Sequence, residues 1–460
     1  MLKNNVKIWE KRLECDQIRS RKQNLITPET RMNINSVSTS LKALFSQSSI
    51  NDLARKSGFV TRLRGLEPVK LIAALCNVLG TRDKANLADI QRELCVLSVS
   101  APAYKPFHNQ FKKEKLTEFM KKLVMQATEQ LLVAPFKTVS SATLPFERIH
   151  VHDGSTLKLH DGLKETFPGR FTTTAPAAVE LHLTMDLLSG GVDYMAIDAD
   201  KESERLWQPY ACESSGTLNL LDAGYFDIDY VSQTGKSGGH CIIRAKSNIN
   251  PVIITARSGD GRRIQTLEGQ RLKSVKLKQD DILDLDVSWQ KPVGTFRIIA
   301  SWDKRHQRHG YLITTLPREQ FSAQDIQQYY ALRWQVELLF KELKSYCSLS
   351  TFSTENQHIV RTLIWSSILV MLLKRYMAMA TSALYGVAVS TQKAQRSAIS
   401  WMHYWVSALK GERPIECAME HITWFLNLSA RRANPKRDSG SLSMKLRLFE
   451  ASLVDEMVKN

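Results

Sequence analysis

The sequence predicts a mixed α/β protein with a strand-rich centre and helical ends. Up to about residue 140, apolar residues recur with a spacing near 3.6, the period of an α-helix. From Phe146 the pattern changes, and Ala178 to Asp186 alternates apolar with polar residues, which is typical of a strand. Helical spacing returns at Ser322 and continues to about residue 427. Because the chain has 460 residues, we expect more than one hydrophobic core.

These changes of pattern divide the chain into five segments. They are a helical segment at 1–145, an α/β segment at 146–249, an all-β segment at 250–318, a segment with a long helix at 319–380, and a helical segment with a basic tail at 381–460. The runs VIITARS, RLKSVKLK, ILDLDVSW, GTFRIIASW and YLITTL predict the strands of the third segment. In the first segment, INDLARKSGFVTRLRG resembles the start of a helix-turn-helix, and an ordinary helical hairpin fits equally well.

The α/β segment reads as a series of short strands. ERIHVHD predicts a strand that ends at Asp153. AVELHLTMD and VDYMAID, joined by a turn at Ser189-Gly190-Gly191, predict a hairpin. TLNLLDAGYFDIDYV predicts a strand, a turn and a helix, with Asp222 at the end of the strand, and HCIIRAKS predicts another strand. Two neighbouring strands are therefore expected to end in aspartate.

The charge balance favours a polyanionic partner. Lys and Arg number 63 against 46 acidic residues, so the net charge is +17, which favours nucleic acid or an acidic membrane surface. The most apolar run, from Leu363 to Leu373, is shorter than the roughly 20 apolar residues of a spanning helix, so it predicts a buried helix. The N-terminus lacks the apolar core of a signal peptide, and the seven cysteines form no C-x-x-C pair. We expect a cytoplasmic protein without a membrane segment.

The segment DIQQYYALRWQVELLFKELKSY carries a polar stripe. At about 100° per residue, an arc of roughly 60° on one helix contains Tyr330, Arg333, Glu337 and Lys344. A carboxylate can hold a divalent cation, while Arg, Lys and Tyr can hold phosphate oxygens. A solvated face with surface ion pairs explains this helix alone equally well. Since Mg²⁺ sites for nucleic-acid chemistry use several acidic groups, the expected partners of Glu337 are Asp153 and Asp222.

This arrangement resembles the RNase H-like DDE transposases of bacterial insertion sequences, and among them the insertion-sequence-four family. The signature of that family is Tyr, two residues, Arg, three residues, Glu, six residues and Lys, which is matched without a gap by Tyr330, Arg333, Glu337 and Lys344. Asp153 lies in DGST and Asp222 in DAGYF, as the first and second aspartates of the family do. The resemblance covers residues 146 to about 375. One departure is Ala223, where many members have Arg.

The resemblance implies an RNase H-like catalytic core that is interrupted by an all-β insertion and flanked by N- and C-terminal helical regions. Asp153, Asp222 and Glu337 would be the catalytic residues and would hold two Mg²⁺ ions, for which Mn²⁺ can substitute. The residues implied to contact DNA are Tyr330, Arg333, Lys344, Arg244, Trp289 and Trp302. Either tryptophan could stack on a flipped base, and packing within the protein explains each of them better.

The implied activity is DNA transposition. The segment 1–145 would bind the terminal inverted repeats, and the core would cleave the ends of the element and join the 3′ ends to target DNA. The implied partners are double-stranded DNA and a second copy of the chain in a synaptic complex, in the bacterial cytoplasm and at the nucleoid. Two alternatives stay open: a catalytically inactive or domesticated DNA-binding relative, and an RNase H-like nuclease or resolvase without strand transfer.

The stretch HVHDGSTLKLHD also invites a zinc-site interpretation. A site made of His150, His152 and Asp153 would need ligands from both faces of the strand, because successive side chains alternate. We therefore select Asp153 alone and expect both histidines to be packed or hydrogen-bonded. His160 and Asp161 are expected at the surface, and Glu202 or Asp200 is an alternative acid near the site, although a solvated loop explains these two better.

Overall fold

A computed structural model of the chain describes residues 34–60, 66–133, 145–188, 192–276, 281–303, 308–346 and 353–431. Its N-terminal part is helical, as predicted. The helices there are α1 (Ile34–Phe45), α2 (Gln47–Lys56), α3 (Pro68–Thr81), α4 (Leu87–Leu97), α5 (Tyr104–Phe111) and α6 (Glu114–Ala127).

Strands dominate the centre of the chain. They are β1 (Arg148–Lys158), β2 (Pro168–Phe171), β3 (Ala175–Asp186), β4 (Val192–Ala199), β5 (Thr217–Leu221), β6 (His240–Arg244), β7 (Val252–Ser258), β8 (Ile282–Gln290), β9 (Val293–Asp303) and β10 (Arg308–Thr314). Helix α7 (Ile228–Lys236) lies between β5 and β6. The remaining helices are α8 (Ala323–Ala331), α9 (Trp334–Tyr346), α10 (Gln357–Tyr385), α11 (Thr391–Arg396), α12 (Ala398–Leu409) and α13 (Ile415–Ser429).

The strands form one sheet with the order β2-β3-β1-β5-β6-β10-β9-β8-β7, and β4 pairs with β3. β1 runs parallel to β5, and β5 runs parallel to β6, so these strands point their carboxyl ends the same way. The predicted hairpin is confirmed, because β3 and β4 are antiparallel. Its predicted turn at Ser189-Gly190-Gly191 lies outside the described residues.

The strands predicted after residue 250 continue this sheet. β10 is antiparallel to both β6 and β9, and it thereby joins β7, β8 and β9 to the central strands instead of leaving them as a body of their own. One predicted strand, RLKSVKLK, was wrong, because Leu272–Ser274 forms a 3₁₀ turn. The backbone N–H groups of Leu272 and Lys273 donate to Pro251 and Asn250, so they are not available to a strand ladder.

The described chain falls into two compact units. The helical unit consists of 34–133, 158–163 and 341–431, and the sheet unit consists of 145–157 and 164–340. In the helical unit, α10 packs against α3, α6 and α13. Helix α10 has the length and composition of a membrane span, but 89% of its apolar window is buried inside the fold. It is a buried helix, as the sequence predicted.

The proposed helix-turn-helix segment is described only in part. Helix α2 ends before Gly58, which has a φ of +71°, and residues 61–65 lie outside the described part of the chain. The next described helix, α3, is buried along most of its length. Burial of α3 favours the ordinary helical hairpin over a helix that is free to enter a DNA groove.

Candidate active site

Asp153 lies within β1. The prediction that the strand ends at this residue was wrong, because β1 continues to Lys158. Gly154 and Ser155 resemble turn residues in the sequence, but both remain in the strand. A glycine inside a strand often marks the close approach of another group, and here a Cβ at Gly154 would overlap the carboxylate of Glu180.

Asp222 is the neighbour of Asp153 across the parallel ladder. It follows β5 directly, as predicted, and precedes the 3₁₀ turn Ala223–Tyr225. His152 pairs with Leu221 in the register of β1 and β5, so the two aspartates take the next positions on adjacent strands. Burial raises the pKa of Asp153 to about 6; Arg333 opposes this rise, and the charge of Asp222 adds to it.

The helix that carries the polar stripe is interrupted. Helix α8 ends at Ala331 and α9 begins at Trp334, so the prediction of one continuous helix was wrong. Between them, the N–H groups of Leu332 and Arg333 donate to the carbonyls of Tyr329 and Tyr330, both at 3.0 Å. These bonds span three residues instead of four, and the tighter turn rotates the following side chains relative to an ideal α-helix.

Two side chains of the polar stripe nevertheless contact the two aspartates. Arg333 Nη1 lies 3.3 Å from Asp153 Oδ2, and Arg333 Nη2 donates to Glu337 Oε1 at 2.6 Å. The Tyr330 hydroxyl donates to Asp222 Oδ1 at 3.3 Å. Burial raises the pKa of Tyr330, so its hydroxyl stays protonated and donates at neutral pH. One arginine thus joins two carboxylates, and one tyrosine holds the third.

The charges of this site are mostly shielded from water. The side chains of Arg333 and Asp153 are 15% and 19% exposed, whereas that of Glu337 is 57% exposed. Burial acts to lower the pKa of Arg333, but Tyr330 and the surrounding carboxylates raise it above its ordinary value. The guanidinium is therefore a permanent positive charge between Asp153 and Glu337.

The carboxylates have the donor chemistry that a hard divalent cation requires. In the part of the chain that the structure describes, no three His, Cys, Asp or Glu side chains form a metal-holding group. Arg333 instead supplies the positive charge that Asp153 and Glu337 share. The chemistry of the set fits a divalent cation, which would compete with the guanidinium for these two carboxylates.

A basic pocket adjoins Asp222. It has a volume of about 360 Å³, and its lining includes Ala223, Arg244, Lys246, Arg308 and His309. Ala223 is uncharged, whereas many members of the family that the sequence resembles have Arg at this position. The pocket takes its positive charge from residues of β6, β10 and the loop after β6. Such a lining suits a phosphate or another anion.

The two candidate tryptophans have different surroundings. The Trp302 ring lies edge-on to His309 at 5.5 Å between centroids, beside the basic pocket. Trp289 packs against the core of the sheet unit and lies 6.3 Å from Phe226 and 6.2 Å from Phe296. Packing therefore accounts for Trp289, while Trp302 lies next to a residue that lines the basic pocket.

Lys344 belongs to the helical unit, although it shares α9 with Glu337. It is partly buried, and burial lowers its pKa. Its contact with DNA stays a prediction.

The histidines of β1 have partners other than a metal. His150 Nε2 lies 2.9 Å from an oxygen of Asp193. The ring nitrogens of His152 lie 2.8 Å from Thr184 Oγ1 and 2.9 Å from Asn219 Oδ1. Burial lowers the pKa of His152 to about 3. The expectation that both histidines are hydrogen-bonded is confirmed.

Of the four residues expected in solvated positions, three are exposed: His160, Asp161 and Glu202. The expectation for Asp200 was wrong. Asp200 is 1% exposed, and its carboxylate accepts from the Thr156 hydroxyl and from the backbone N–H of Arg170. Sequence reasoning also missed Arg170 and Glu180, because neither belongs to a motif. The one indication in the sequence is the glycine that follows Asp153, because a glycine inside a strand often marks the close approach of another group.

Residues 144–373, half of the 460-residue chain, match the family model of the transposase DDE domain. The chain belongs to this family. It is therefore an enzyme of the class that acts on DNA with the help of divalent metal ions. The resemblance to DDE transposases of insertion sequences that the sequence suggested is confirmed.

Relatives extend the likeness beyond the matched domain. The transposase for insertion sequence element IS1151 of Clostridium perfringens is 23% identical over 362 residues, which cover 67% of this chain and 73% of the relative. The transposase for element IS231C of Bacillus thuringiensis subsp. berliner is 24% identical over 356 residues, with coverage of 67% and 73%. Among solved structures, the piggyBac transposase synaptic complex with hairpin DNA has a TM-score of 0.46 at 11% identity and covers 89% of each chain.

Proposed function

We propose that the chain is the transposase of an insertion sequence. It binds the terminal inverted repeats, cleaves DNA at the ends of the element by Mg²⁺-dependent phosphodiester hydrolysis, and joins the 3′ ends to target DNA. The observation that carries the proposal is the contact of Tyr330 and Arg333 with the aspartates of two parallel strands, together with the bond from Arg333 to Glu337. The match to the transposase DDE domain supports it.

The proposed catalytic core is RNase H-like. Its sheet consists of β1, β5 and β6 with the hairpin β3–β4, and α9 brings Glu337 to it. In this proposal, β7 to β10 are an insertion between the last core strand and the Glu-bearing helix. The proposal is supported by the place of these strands in the chain, between Asp222 and Glu337.

Asp153, Asp222 and Glu337 would hold two Mg²⁺ ions, or Mn²⁺ in their place, and the bound ions would supply Lewis-acid stabilisation of the attacking and leaving oxygens of the phosphodiester. Arg333 presents a planar fork of donors that suits the phosphate oxygens next to the scissile bond. Tyr330 keeps Asp222 oriented through its hydroxyl and can donate to a phosphate from the same position.

The basic pocket beside Asp222 is the proposed seat of the DNA backbone. Arg244 lines it together with Lys246 and Arg308, and phosphate contacts of this kind fix the register of DNA without reading its sequence. Trp302, at its edge, is the better candidate for stacking on a base, and Trp289 is retained as the second. Lys344 is proposed to hold a further phosphate.

The rest of the proposal concerns assembly and location. Pairing two ends of an element needs two active sites, so we propose a homodimer in the synaptic complex, with the segment 1–145 on the inverted repeats. The activity takes place on the nucleoid in the cytoplasm. The net charge of +17 supports a large DNA contact.

The test uses the purified protein, labelled DNA that carries the inverted repeat and its flank, and Mg²⁺ or Mn²⁺. Nicking at the end of the element by the wild type, lost in Asp153→Ala, and a joined product with target DNA are the expected results. Binding without cleavage under both metals would favour an inactive DNA-binding relative. Cleavage without any joined product would favour a nuclease without strand transfer.

A further inference from the structure

Close to each proposed catalytic aspartate, a glutamate carboxylate packs against a glycine of the backbone. Gly154 follows Asp153 directly, and a Cβ there would overlap Glu180 Oε1. Gly224 lies two residues after Asp222, and a Cβ there would overlap Glu204 Oε2. At both positions a glutamate carboxylate occupies the space that a side chain would take, so a larger residue would have to displace that carboxylate. The two glutamates come from β3 and from the 3₁₀ turn Glu204–Trp207.

One arginine binds both glutamates. Arg170, on the short strand β2, has Nη2 at 3.3 Å from Glu180 Oε2, and both of its Nη atoms lie 3.4 Å from Glu204 Oε1. Its backbone N–H donates to Asp200 at 2.8 Å, and the other oxygen of Asp200 accepts from the Thr156 hydroxyl at 2.6 Å. Since Thr156 belongs to β1, the network returns to the strand that carries the first aspartate.

The charge of Arg170 keeps the two glutamates in place. Their side chains are 4% and 21% exposed, so water screens their repulsion poorly. Burial and the charge of Glu204 raise the pKa of Glu180 to about 7, and Arg170 opposes this rise. Without the guanidinium, the pKa of Glu180 would rise further, so that Glu180 would be neutral at pH 7, or its side chain would move away from Glu204. Either change would loosen the packing against Gly154 and Gly224.

We propose that Arg170 is a positioning residue of this transposase: through Glu180 and Glu204 it fixes the backbone beside Asp153 and Asp222, so that both carboxylates can hold divalent cations together. The inference rests on the proposed function. Residues that support metal ligands from behind commonly change metal affinity by about 10- to 100-fold when they are replaced.

The experiment compares Arg170→Gln and Arg170→Lys with Arg318→Gln as the matched control. Arg318 also binds two carboxylates in the sheet unit, Asp284 and Asp286, both at 2.9 Å, and it lies outside the catalytic set. Each protein is titrated with Mn²⁺ alone by electron paramagnetic resonance. Thermal unfolding, binding to end DNA and the Mg²⁺ concentration for half-maximal cleavage are measured beside it.

Arg170→Gln is expected to weaken Mn²⁺ binding, and to raise the half-maximal Mg²⁺ concentration, by about tenfold or more, with end binding unchanged. Arg170→Lys should recover part of the loss, because it restores the charge. Arg318→Gln should lower thermal stability and leave Mn²⁺ binding as in the wild type. Wild-type Mn²⁺ binding in Arg170→Gln, or an equal loss in Arg318→Gln, would overturn the inference.

Two possible results of this experiment, an unfolded variant and a wild type that does not cleave DNA, are interpreted separately. If Arg170→Gln does not fold, Glu204→Ala decides, since it removes the carboxylate that packs against Gly224 and contacts Arg170 while leaving Arg170 in place; weaker Mn²⁺ binding is expected, and unchanged binding overturns the inference. If the wild type binds Mn²⁺ but cleaves no DNA, the proposed function fails. The Mn²⁺ titration of Arg170→Gln still tests the positioning role in that case.

Discussion

Two arginines each join acidic residues near the proposed active site. Arg333 joins Asp153 to Glu337, and Arg170 joins Glu180 to Glu204, and in each pair one carboxylate is largely buried. Removing either arginine leaves carboxylates that repel one another. Each arginine is thus a condition for the acidic cluster that the proposed chemistry needs.

His182 is a buried polar residue of another kind. It is 2% exposed and stacks on Trp207 at 5.0 Å between ring centroids. Among the residues that the structure describes, neither ring nitrogen has a hydrogen-bond partner. Burial lowers its pKa from 6.5 to about 4, against the attraction of Asp198. Three other charged groups also face it, from β2, β3 and the end of β4: Arg170, Glu180 and Asp200.

We predict that the free energy of unfolding falls less steeply in His182→Phe than in the wild type as the pH is lowered from 7 to 4. The folded-state pKa of His182 lies below the unfolded value, so its neutral ring contributes stability above pH 6.5 that is lost as the pH falls towards 4. Phenylalanine keeps the stacked ring and cannot titrate. The measurement is the free energy of unfolding from pH 7 to pH 4, where the variant should retain up to about 3 kcal/mol that the wild type loses. Parallel profiles would contradict the assignment.

At the scale of elements, the sequence predicted best where the pattern repeats over many residues. The strand β3 that the alternation predicted, the buried helix α10 and the strand–turn–helix at Asp222 are all present, although β3 is buried on both faces. Local spacing was misleading where a distant side chain decides the structure. β1 continues through Gly154 to Lys158, with the Glu180 carboxylate beside the glycine, and nothing in the local sequence indicates that neighbour.

The start of α8 determines where Tyr330 lies. Ser322 and Asp325 form a capping box, in which the serine Oγ accepts from the Asp325 N–H at 3.2 Å and the Asp325 carboxylate accepts from the Ser322 N–H at 2.8 Å. Both bonds satisfy backbone donors that the helix itself leaves without partners.

We predict that Ser322→Ala destabilises the protein by about 1 kcal/mol and also lowers the rate of DNA cleavage, because α8 carries Tyr330. Ser390→Ala is the control, since Ser390 caps α11 in the helical unit through the N–H of Lys393. The control should lose stability to a similar degree without the effect on cleavage. Unfolding in denaturant and initial cleavage rates measure the two effects. Equal cleavage by both variants would contradict the link between α8 and the site.

At the scale of the whole molecule, some residues of the site could be predicted from the sequence and others could not. The resemblance to DDE transposases and the strands expected before the two aspartates selected Asp153, Asp222 and Glu337 from the sequence, and Tyr330 and Arg333 contact these three carboxylates in the structure; their catalytic role is a proposal. Arg170 and Glu204 could not be predicted, because they act through packing and come from segments with no motif. The net positive charge of the chain follows from its composition, but the grouping of basic residues beside Asp222 could not be predicted.

This charge predicts a strong dependence of DNA binding on salt. The logarithm of the binding constant should fall linearly with the logarithm of salt concentration. Arg244→Gln should reduce the slope by about 1, because it removes one phosphate contact from the basic pocket. Arg263→Gln is the control, since this arginine does not line the basic pocket and binds Glu268 at 2.8 Å. An unchanged slope in Arg244→Gln, measured by fluorescence anisotropy, would remove this residue from the DNA interface.

The most direct test of the proposed function is Mg²⁺-dependent cleavage of end DNA by Glu337→Gln, measured beside Glu319→Gln, which changes an exposed glutamate outside the site. The three-carboxylate site predicts that Glu337→Gln binds the end like the wild type and cleaves it no faster than background, while Glu319→Gln cleaves normally. Wild-type cleavage by Glu337→Gln would contradict the central claim.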